Sequence, residues 1–177
     1  MVTMPRQIHS CDVVLCTKYL WYANVTADAL VSDSVAIWVW WSDCNLIAIL
    51  GNKRYVVCHA WRKGLSQGIL QHSIDILIWL GEQTIDLQMI LWPSIRYCCF
   101  EIGRDLIWLR DGYVHIREGK RYVDMVWYIH NIATQYSIAR DHIYDYGSCT
   151  KCNPQKWRSH RNGDLLNQML RVKKIIL

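Results

Sequence analysis

The sequence predicts an α+β fold, in which a β-rich first half is followed by helices that alternate with further strands. Short runs of β-branched and aromatic residues succeed one another up to Cys58. Amphipathic segments with helical spacing begin at Leu65 and again at Asp124. The 177 residues are enough to bury a core. We therefore expect a single domain over residues 1–177, a mixed α/β sandwich with a β-rich core and flanking helices.

The first half of the chain contains the predicted strands that build this sheet. They cover residues 12–16, 29–31, 35–41, 45–50 and 55–58. The third has apolar residues on both faces and is expected in the middle of a sheet. The last two flank a Gly51-Asn52 turn, which predicts a hairpin. Because a hairpin returns its second strand to the start of the first, Cys44 and His59 should lie close together at one sheet end.

The second half of the chain contains the predicted helices. Residues 65–80 and 124–136 each place apolar side chains along one stripe, and a shorter helix is expected over residues 98–109. Gly81 follows the first helix, where a residue with positive φ is favoured. Further strands are predicted over residues 85–91, 113–116, 143–144 and 172–177. Loops are predicted over residues 19–26 and 147–154.

Charge and hydropathy exclude several classes of protein. The net charge of +5 is modest and its Lys and Arg residues are scattered, so we expect no nucleic-acid partner. Residues 1–20 do not resemble a signal peptide. The most apolar run, residues 35–50, is broken by Ser42-Asp43 and is too short to span a bilayer. We expect a cytoplasmic monomer without membrane contact, whose eight cysteines are mostly reduced.

The residues alone indicate one metal-binding pair and one weaker candidate. A Cys44 thiolate beside a His59 imidazole suits zinc or copper, although spacing does not identify a third ligand. Cys149 and Cys152 have the C-x-x-C spacing of zinc or redox sites. A zinc ribbon needs a second pair, and the adjacent Cys98-Cys99 is a poor chelate. We therefore predict no metal at Cys152.

Six short blocks occur in the order found in one known family. They are Gln7-Ile-His9; Thr26-Ala-Asp28-Ala-Leu-Val31; Ser42-Asp-Cys44; His59-Ala-Trp-Arg-Lys-Gly64; Pro93-Ser-Ile95 with Cys98-Cys-Phe-Glu-Ile-Gly103; and Cys149-Thr150 with Ser159-His-Arg161. Together they resemble the laccase-domain family, also called multicopper polyphenol oxidoreductases or bacterial-type purine nucleoside phosphorylases.

This resemblance implies a fold, a metal site and a reaction. The family has an α/β sandwich with one site of two histidines and a cysteine, which usually holds zinc. On the matching positions the ligands would be His9, Cys44 and His59, with copper as the alternative metal. Members of the family cleave purine nucleosides with phosphate, and some deaminate adenosine. The implied partners are therefore a purine nucleoside and phosphate.

The resemblance also suggests residues that act around the metal. Arg62 and Arg161 are candidate phosphate or ribose contacts, because a guanidinium matches the geometry of phosphate. Cys149 and Ser159 are further substrate-binding candidates. Asp43 and Glu101 are candidate catalytic carboxylates. Asp43 would either orient a ligand histidine or an arginine, or cap a turn; Glu101 would either line the pocket or begin a helix.

Several positions depart from the family pattern. Trp61 stands where a glycine is usual, Trp92 precedes Pro93 in place of a glycine, and Asn162 replaces an arginine. Relative to the family, we also expect a domain that is truncated at its N-terminus. Two alternatives to the phosphorylase therefore stay open. One is a copper-dependent polyphenol oxidoreductase, which ranks lower because a single site lacks several coppers, and the other is a non-catalytic metal-stabilised domain.

Overall fold

The computed structural model describes residues 2–16, 25–103 and 111–173, and its elements form an α+β fold, as predicted. The described strands are β1 Val2–Thr3, β2 Val13–Cys16, β3 Ala29–Ser32, β4 Ala36–Trp41, β5 Asn45–Leu50, β6 Tyr55–Ala60, β7 Gln88–Leu91, β8 Glu101–Ile102, β9 Val114–Arg117, β10 Lys120–Val123, β11 Ile143–Asp145 and β12 Gln168–Val172. The described α-helices are α1 Arg62–Ser66, α2 Ile69–Trp79 and α3 Met125–Gln135.

A six-stranded sheet in the order β11-β7-β5-β6-β3-β2 is the main framework. Strands β5 and β6 form the predicted antiparallel hairpin, in which Leu46 lies opposite His59. The outer pairs β2–β3 and β7–β11 are parallel. Strand β4 lies between β1 and β12 in a second sheet, which agrees with its predicted central position. A third sheet in the order β8-β10-β9 completes the described strands.

The main sheet is buried on both faces. On one face it packs against α2 and α3, and on the other against the sheet that contains β4. Successive residues of β5 therefore enter different cores: Leu46 packs with Ile37 and Val39, whereas Ile47 packs with Leu70 and Ile74. This arrangement explains why β5 is apolar from Leu46 to Leu50 and β6 from Tyr55 to Cys58. Each fully buried aliphatic side chain contributes about 1.5–3 kcal/mol.

The first predicted helix is divided into two. Gly68 adopts a φ of 88°, which ends α1 and starts α2, so the prediction of one helix over residues 65–80 was wrong at its beginning. Gly81 has a φ of 91°, as predicted for the position after the helix. Helix α3 lies where it was predicted, and its N-cap Asp124 accepts a hydrogen bond from the Trp127 N–H at 2.9 Å.

The short helix predicted over residues 98–109 was wrong over its described part. The Arg96 carbonyl accepts hydrogen bonds from the N–H groups of Cys99 and Phe100, which forms a turn. Glu101 then pairs with Tyr122 in the third sheet, so it begins a strand rather than a helix. Residues 104–110 lie outside the described residues. Strand β10, which supplies this pairing, was not predicted.

Two further strand boundaries differ from the prediction. Residues 84–86 form a 3₁₀ turn, so β7 begins only at Gln88 instead of residue 85. The closing strand lies at Gln168–Val172. Its pairing with β4 packs Leu170 and Val172 against the core between the main sheet and the sheet that contains β4. Residues 174–177 of the predicted closing strand, and residues 19–24 of the predicted loop, lie outside the described residues.

Within the described part of the chain, no helix combines the length and the apolar character needed to cross a membrane.

Candidate metal centre and its pocket

Three elements bring His9, Cys44 and His59 together at one end of the main sheet. His9 precedes β2, Cys44 immediately precedes β5, and His59 lies in β6. One potential ligand atom from each residue lies within 4.8 Å of the other two. The His9 Nε2 is 3.7 Å from the Cys44 Sγ, and the two imidazole centroids are 5.1 Å apart. The structure thus places the predicted ligands within reach of one ion.

Asp28, which was not predicted as a site residue, orients His59. Its Oδ1 lies 2.9 Å from the His59 Nδ1, and the residue is only 2% exposed. Because an ionised carboxylate only accepts hydrogen bonds, this contact places the proton on Nδ1 and leaves Nε2 to bind a metal. One feature of the sequence could have identified Asp28: it is an acidic residue at the start of a fully buried strand, where a charge without a partner would be costly.

The same carboxylate also fixes the segment that carries His9. Asp28 Oδ2 accepts hydrogen bonds from the backbone N–H groups of Ile8, at 3.1 Å, and Ser10, at 2.6 Å. His9, between them, has a φ of 60°, a conformation that non-glycine residues adopt only when their surroundings hold them there. One buried carboxylate therefore positions two of the three candidate ligands.

Hydrogen bonding decides the charge of Asp28. Burial by itself would raise the pKa of this carboxyl group, but the hydrogen bonds from His59, Ser10 and Ile8 outweigh burial and hold the pKa at about 2. Asp28 is therefore ionised at neutral pH, as a carboxylate that accepts from a metal-bound histidine must be.

The ligand side chains are electrostatically suited to a cation. Burial, followed by the charge of Asp43, raises the pKa of the Cys44 thiol, so a nearby metal ion is needed to favour the thiolate. Burial and neighbouring His59 lower the pKa of His9, which favours the neutral imidazole that binds metals. Two imidazoles and one thiolate fit a zinc ion that keeps one position open, and they also fit copper.

The candidate ligands line a pocket of about 990 Å³. Asp43, Arg62, Glu101 and Arg161 line the same pocket, so the structure brings seven predicted site residues together. An aromatic pair, Trp61 and Phe100, forms part of the wall. Their rings are stacked, with centroids 5.1 Å apart and planes inclined by 26°.

Arg161 is fixed between the aromatic wall and the backbone. Its guanidinium Cζ lies 5.3 Å from the centroid of the Phe100 ring, and its Nη1 donates to the Glu101 carbonyl at 3.2 Å. Its backbone N–H donates to Asp43 Oδ2 at 2.9 Å, and Thr150 Oγ1 donates to Asp43 Oδ1 at 2.6 Å. Asp43 thus positions the arginine through its backbone, whereas the histidine is oriented by Asp28.

The remaining predicted site residues have different surroundings. The Glu101 side chain is exposed and pairs with Lys120 at 3.2 Å. Cys149 and Ser159 do not line the pocket. Ser159 is buried, with its backbone N–H bonded to Asp164, while Cys149 lies beside three other cysteines. The structure therefore does not place these two where the resemblance to the family suggested.

Comparisons with known proteins show which proteins this chain is similar to. A purine nucleoside phosphorylase from Aquifex aeolicus is 27% identical over 130 residues, which are 72% of this chain and 61% of that protein. The adenosine deaminase RL5 from an unknown prokaryotic organism is 22% identical over 181 residues, covering 90% of this chain and 69% of that protein. The chain thus spans about three fifths of the length of the Aquifex relative.

A solved structure and a family model extend the comparison to nearly the whole chain. YlmD from Geobacillus stearothermophilus superposes with a TM-score of 0.86 at 18% identity, covering 98% of this chain and 73% of that one, which shows a shared fold. The family model described as multi-copper polyphenol oxidoreductase laccase matches residues 1–170. The chain belongs to the multi-copper polyphenol oxidoreductase laccase family.

Proposed function

We propose that this protein is a zinc-dependent purine nucleoside phosphorylase that acts on nucleosides of the adenosine, inosine and guanosine type. One observation carries the proposal: three candidate metal ligands, an arginine and a stacked aromatic pair line the same pocket. The names of two relatives, both purine nucleoside phosphorylases, support the class of reaction.

The pocket offers complementary surfaces for both proposed substrates. The half-buried Trp61 ring, backed by the buried Phe100 ring, provides a flat apolar wall for a purine base. The Arg161 guanidinium uses one N–H group on the Glu101 carbonyl and retains others for phosphate oxygens. Arg62 lines the same pocket and is a second candidate for the phosphate or ribose.

The proposed metal is held by His9, Cys44 and His59. When bound, zinc would supply Lewis acidity, which polarises a phosphate or phosphoryl oxygen and lowers the pKa of a bound water. The chain's own residues keep this site in place: Asp28 fixes the orientation of His59 and the backbone on both sides of His9. Asp43 holds the backbone of Arg161, so that its side chain stays over Phe100.

The phosphorylase proposal is tested by the phosphate dependence of base release. Purified protein is incubated with inosine, with and without phosphate, and free hypoxanthine is measured. We expect release only with phosphate, and its loss in Cys44→Ala. Cys11→Ser, which removes a half-buried cysteine that is not one of the candidate ligands, is the matched control and should retain the activity. Phosphate-dependent release that persists in Cys44→Ala would refute the proposal.

Adenosine deamination is a second activity that we propose for the same pocket, on the strength of the name of one relative. The expected product is inosine formed from adenosine without phosphate. The measurement is the change in ultraviolet absorbance as the amino group is lost. If Cys44→Ala still deaminates adenosine at the wild-type rate, the activity does not belong to this pocket.

A copper-dependent phenol oxidase is the second candidate function. The family description favours it, and two imidazoles with a thiolate also suit copper. However, the described residues contain one cluster of this composition, whereas four-electron reduction of oxygen by a laccase uses several coppers. Oxidation of a phenolic dye by the copper-loaded protein but not by the zinc-loaded protein would favour this function over the phosphorylase.

A further inference from the structure

Four cysteine sulfurs meet at a second place in the structure. Cys98, Cys99, Cys149 and Cys152, which we call the cysteine cluster, have sulfur atoms that all lie within 4.8 Å of one another. The Cys152 Sγ is 3.7 Å from the Cys98 Sγ and 3.3 Å from the Cys99 Sγ. These residues lie on two segments that are far apart in the sequence, so their meeting is a property of the fold.

Backbone hydrogen bonds join the two segments that carry the cysteine cluster. Ser94 forms a parallel bridge with Cys149. The Ser94 N–H donates to the Ser148 carbonyl at 3.3 Å, and the Thr150 N–H donates to the Ser94 carbonyl at 3.1 Å. Asn153 Nδ2 donates to the Cys149 carbonyl at 2.9 Å, which closes the loop that carries Cys152. The sulfur positions therefore follow from the backbone as well as from side-chain rotamers.

The spacing of the sulfurs suits one tetrahedral metal ion. A zinc–sulfur bond of about 2.3 Å gives neighbouring sulfurs a separation of about 3.8 Å in a tetrahedron. The two measured separations of 3.7 and 3.3 Å and the limit of 4.8 Å agree with this value. An iron–sulfur cluster would hold its cysteines farther apart, because several irons and sulfides lie between them. Four thiolates without an open position are characteristic of structural zinc.

The cysteine cluster lies beside a positive charge and is open to solvent. The Arg117 guanidinium donates to the Cys98 carbonyl at 2.8 Å, which places a positive charge beside the cluster. Cys149 is buried while Cys152 is exposed, so an ion can reach the sulfurs from solvent.

We propose that the cysteine cluster is a structural zinc site, separate from the site of His9, Cys44 and His59. Within the cluster, Cys98 and Cys99 immediately precede Phe100 and Glu101 in the sequence. Phe100 and Glu101 line the pocket and contact Arg161. A zinc ion there would tie the loop after β11 to this pocket wall and fix the wall in position. The adjacent cysteines, a poor chelate when considered alone, would each supply one ligand of a site completed by the distant C-x-x-C pair.

The test counts metal ions in full-length protein purified without chelators. Zinc per chain is measured by mass spectrometry in the wild type and in Cys152→Ser, Cys44→Ala, the double variant and Cys11→Ser. We expect about two zinc ions in the wild type, about one in each single-site variant and none in the double variant, because the two ligand sets are separate. Cys11→Ser should retain both.

Cobalt substitution counts the thiolate ligands in the wild-type protein, and this count does not depend on the fold of a variant. Wild-type protein loaded with cobalt should show thiolate-to-cobalt charge transfer of the intensity expected for five thiolates, four of them from the cysteine cluster. Cys44→Ala should retain most of this signal, and Cys98→Ser or Cys152→Ser should lose most of it.

A cobalt charge-transfer intensity equal to that of one thiolate in the wild type would overturn the proposal. So would one zinc per chain that Cys152→Ser leaves unchanged, or a Cys99–Cys152 disulfide in the freshly purified protein. None of these three results would bear on the phosphorylase proposal, which Cys44→Ala tests.

Discussion

At the scale of single residues, two buried carboxylates beside the pocket have different partners. Asp28 binds His59 and the backbone around His9, whereas Asp43 binds Thr150 and the backbone of Arg161. We predict that Asp28→Asn weakens zinc binding at this site about 10- to 100-fold, because the histidine loses its orienting charge. Asp43→Asn, at an equally buried position, should not lower the zinc affinity, because the charge of Asp43 disfavours the Cys44 thiolate, and should weaken phosphate-dependent turnover instead.

Competition with a chromophoric chelator measures the zinc affinity of both carboxylate variants. All samples carry Cys152→Ser, so that the cysteine cluster does not bind zinc and contributes nothing to the titration. An equal loss of affinity in Asp28→Asn and Asp43→Asn would contradict the separate roles that their hydrogen bonds indicate.

Sequence reasoning found the three candidate metal ligands but missed what orients them. Cys44 and His59 were predictable because they flank a hairpin, whose pairing is fixed locally by the turn. His9 came from the resemblance alone. Asp28 reaches His59 through the pairing of β3 with β6, and Cys149 reaches Cys98 through the bridge at Ser94. Contacts between such distant segments leave no periodic signal in a single sequence.

At the scale of an element, α1 approaches the His9 segment so closely that only glycine fits. A Cβ on Gly64 would lie 2.6 Å from the Ser10 carbonyl oxygen. In a helix, Gly→Ala would otherwise stabilise the protein by up to about 1 kcal/mol. We predict that Gly64→Ala instead destabilises the protein and weakens zinc binding, because the segment with His9 must move. Gly112→Ala, which has nothing within 4 Å, is the control.

Urea denaturation and zinc titration of the two glycine variants provide the measurement. If Gly64→Ala is more stable than the wild type and binds zinc equally well, α1 does not restrain the position of His9.

Strand β11 is joined to the turn before the cysteine cluster by a bidentate ion pair. Arg96 donates to the two Asp145 oxygens at 2.7 and 2.6 Å. Burial alone would raise the pKa of Asp145, but these bonds, together with one from the Gly147 N–H, hold the pKa below its usual value. A carboxyl group with a lowered pKa in the folded state stabilises the protein above its unfolded pKa. This contribution is lost as the pH falls through the pKa of the folded state.

We predict that Asp145→Asn lowers the free energy of unfolding at pH 7 by about 1 kcal/mol, after allowance for the partial exposure of the pair. The difference from the wild type should shrink as the pH is lowered below the usual pKa of a carboxyl group. Urea denaturation of both proteins at several pH values measures this difference in the free energy of unfolding. A difference that stays constant down to strongly acidic pH would contradict a stabilising role of the ionised Asp145.

At the scale of the whole molecule, the fold class was predictable, but the sheet order was not. The α+β class followed from local periodicity, whereas the third sheet and the position of β12 depend on pairings with distant strands. The expectations of a single domain, a monomer, a cytoplasmic location and no nucleic-acid partner stay predictions.

Metal removal should destabilise the whole protein, because both proposed sites join segments that are distant in the sequence. The His9 site connects the segment before β2 to the hairpin, and the cysteine cluster connects the turn before β8 to the loop after β11. A ligand that binds only the folded state at 100 times its Kd contributes about 2.7 kcal/mol. For a protein of this size, that corresponds to about 5–10 °C in Tm per site. We therefore predict a lower Tm after treatment with a chelator, which added zinc restores. Cys44→Ala and Cys152→Ser should each show part of the shift, and a Tm that is unchanged by chelation would mean that neither site contributes to stability.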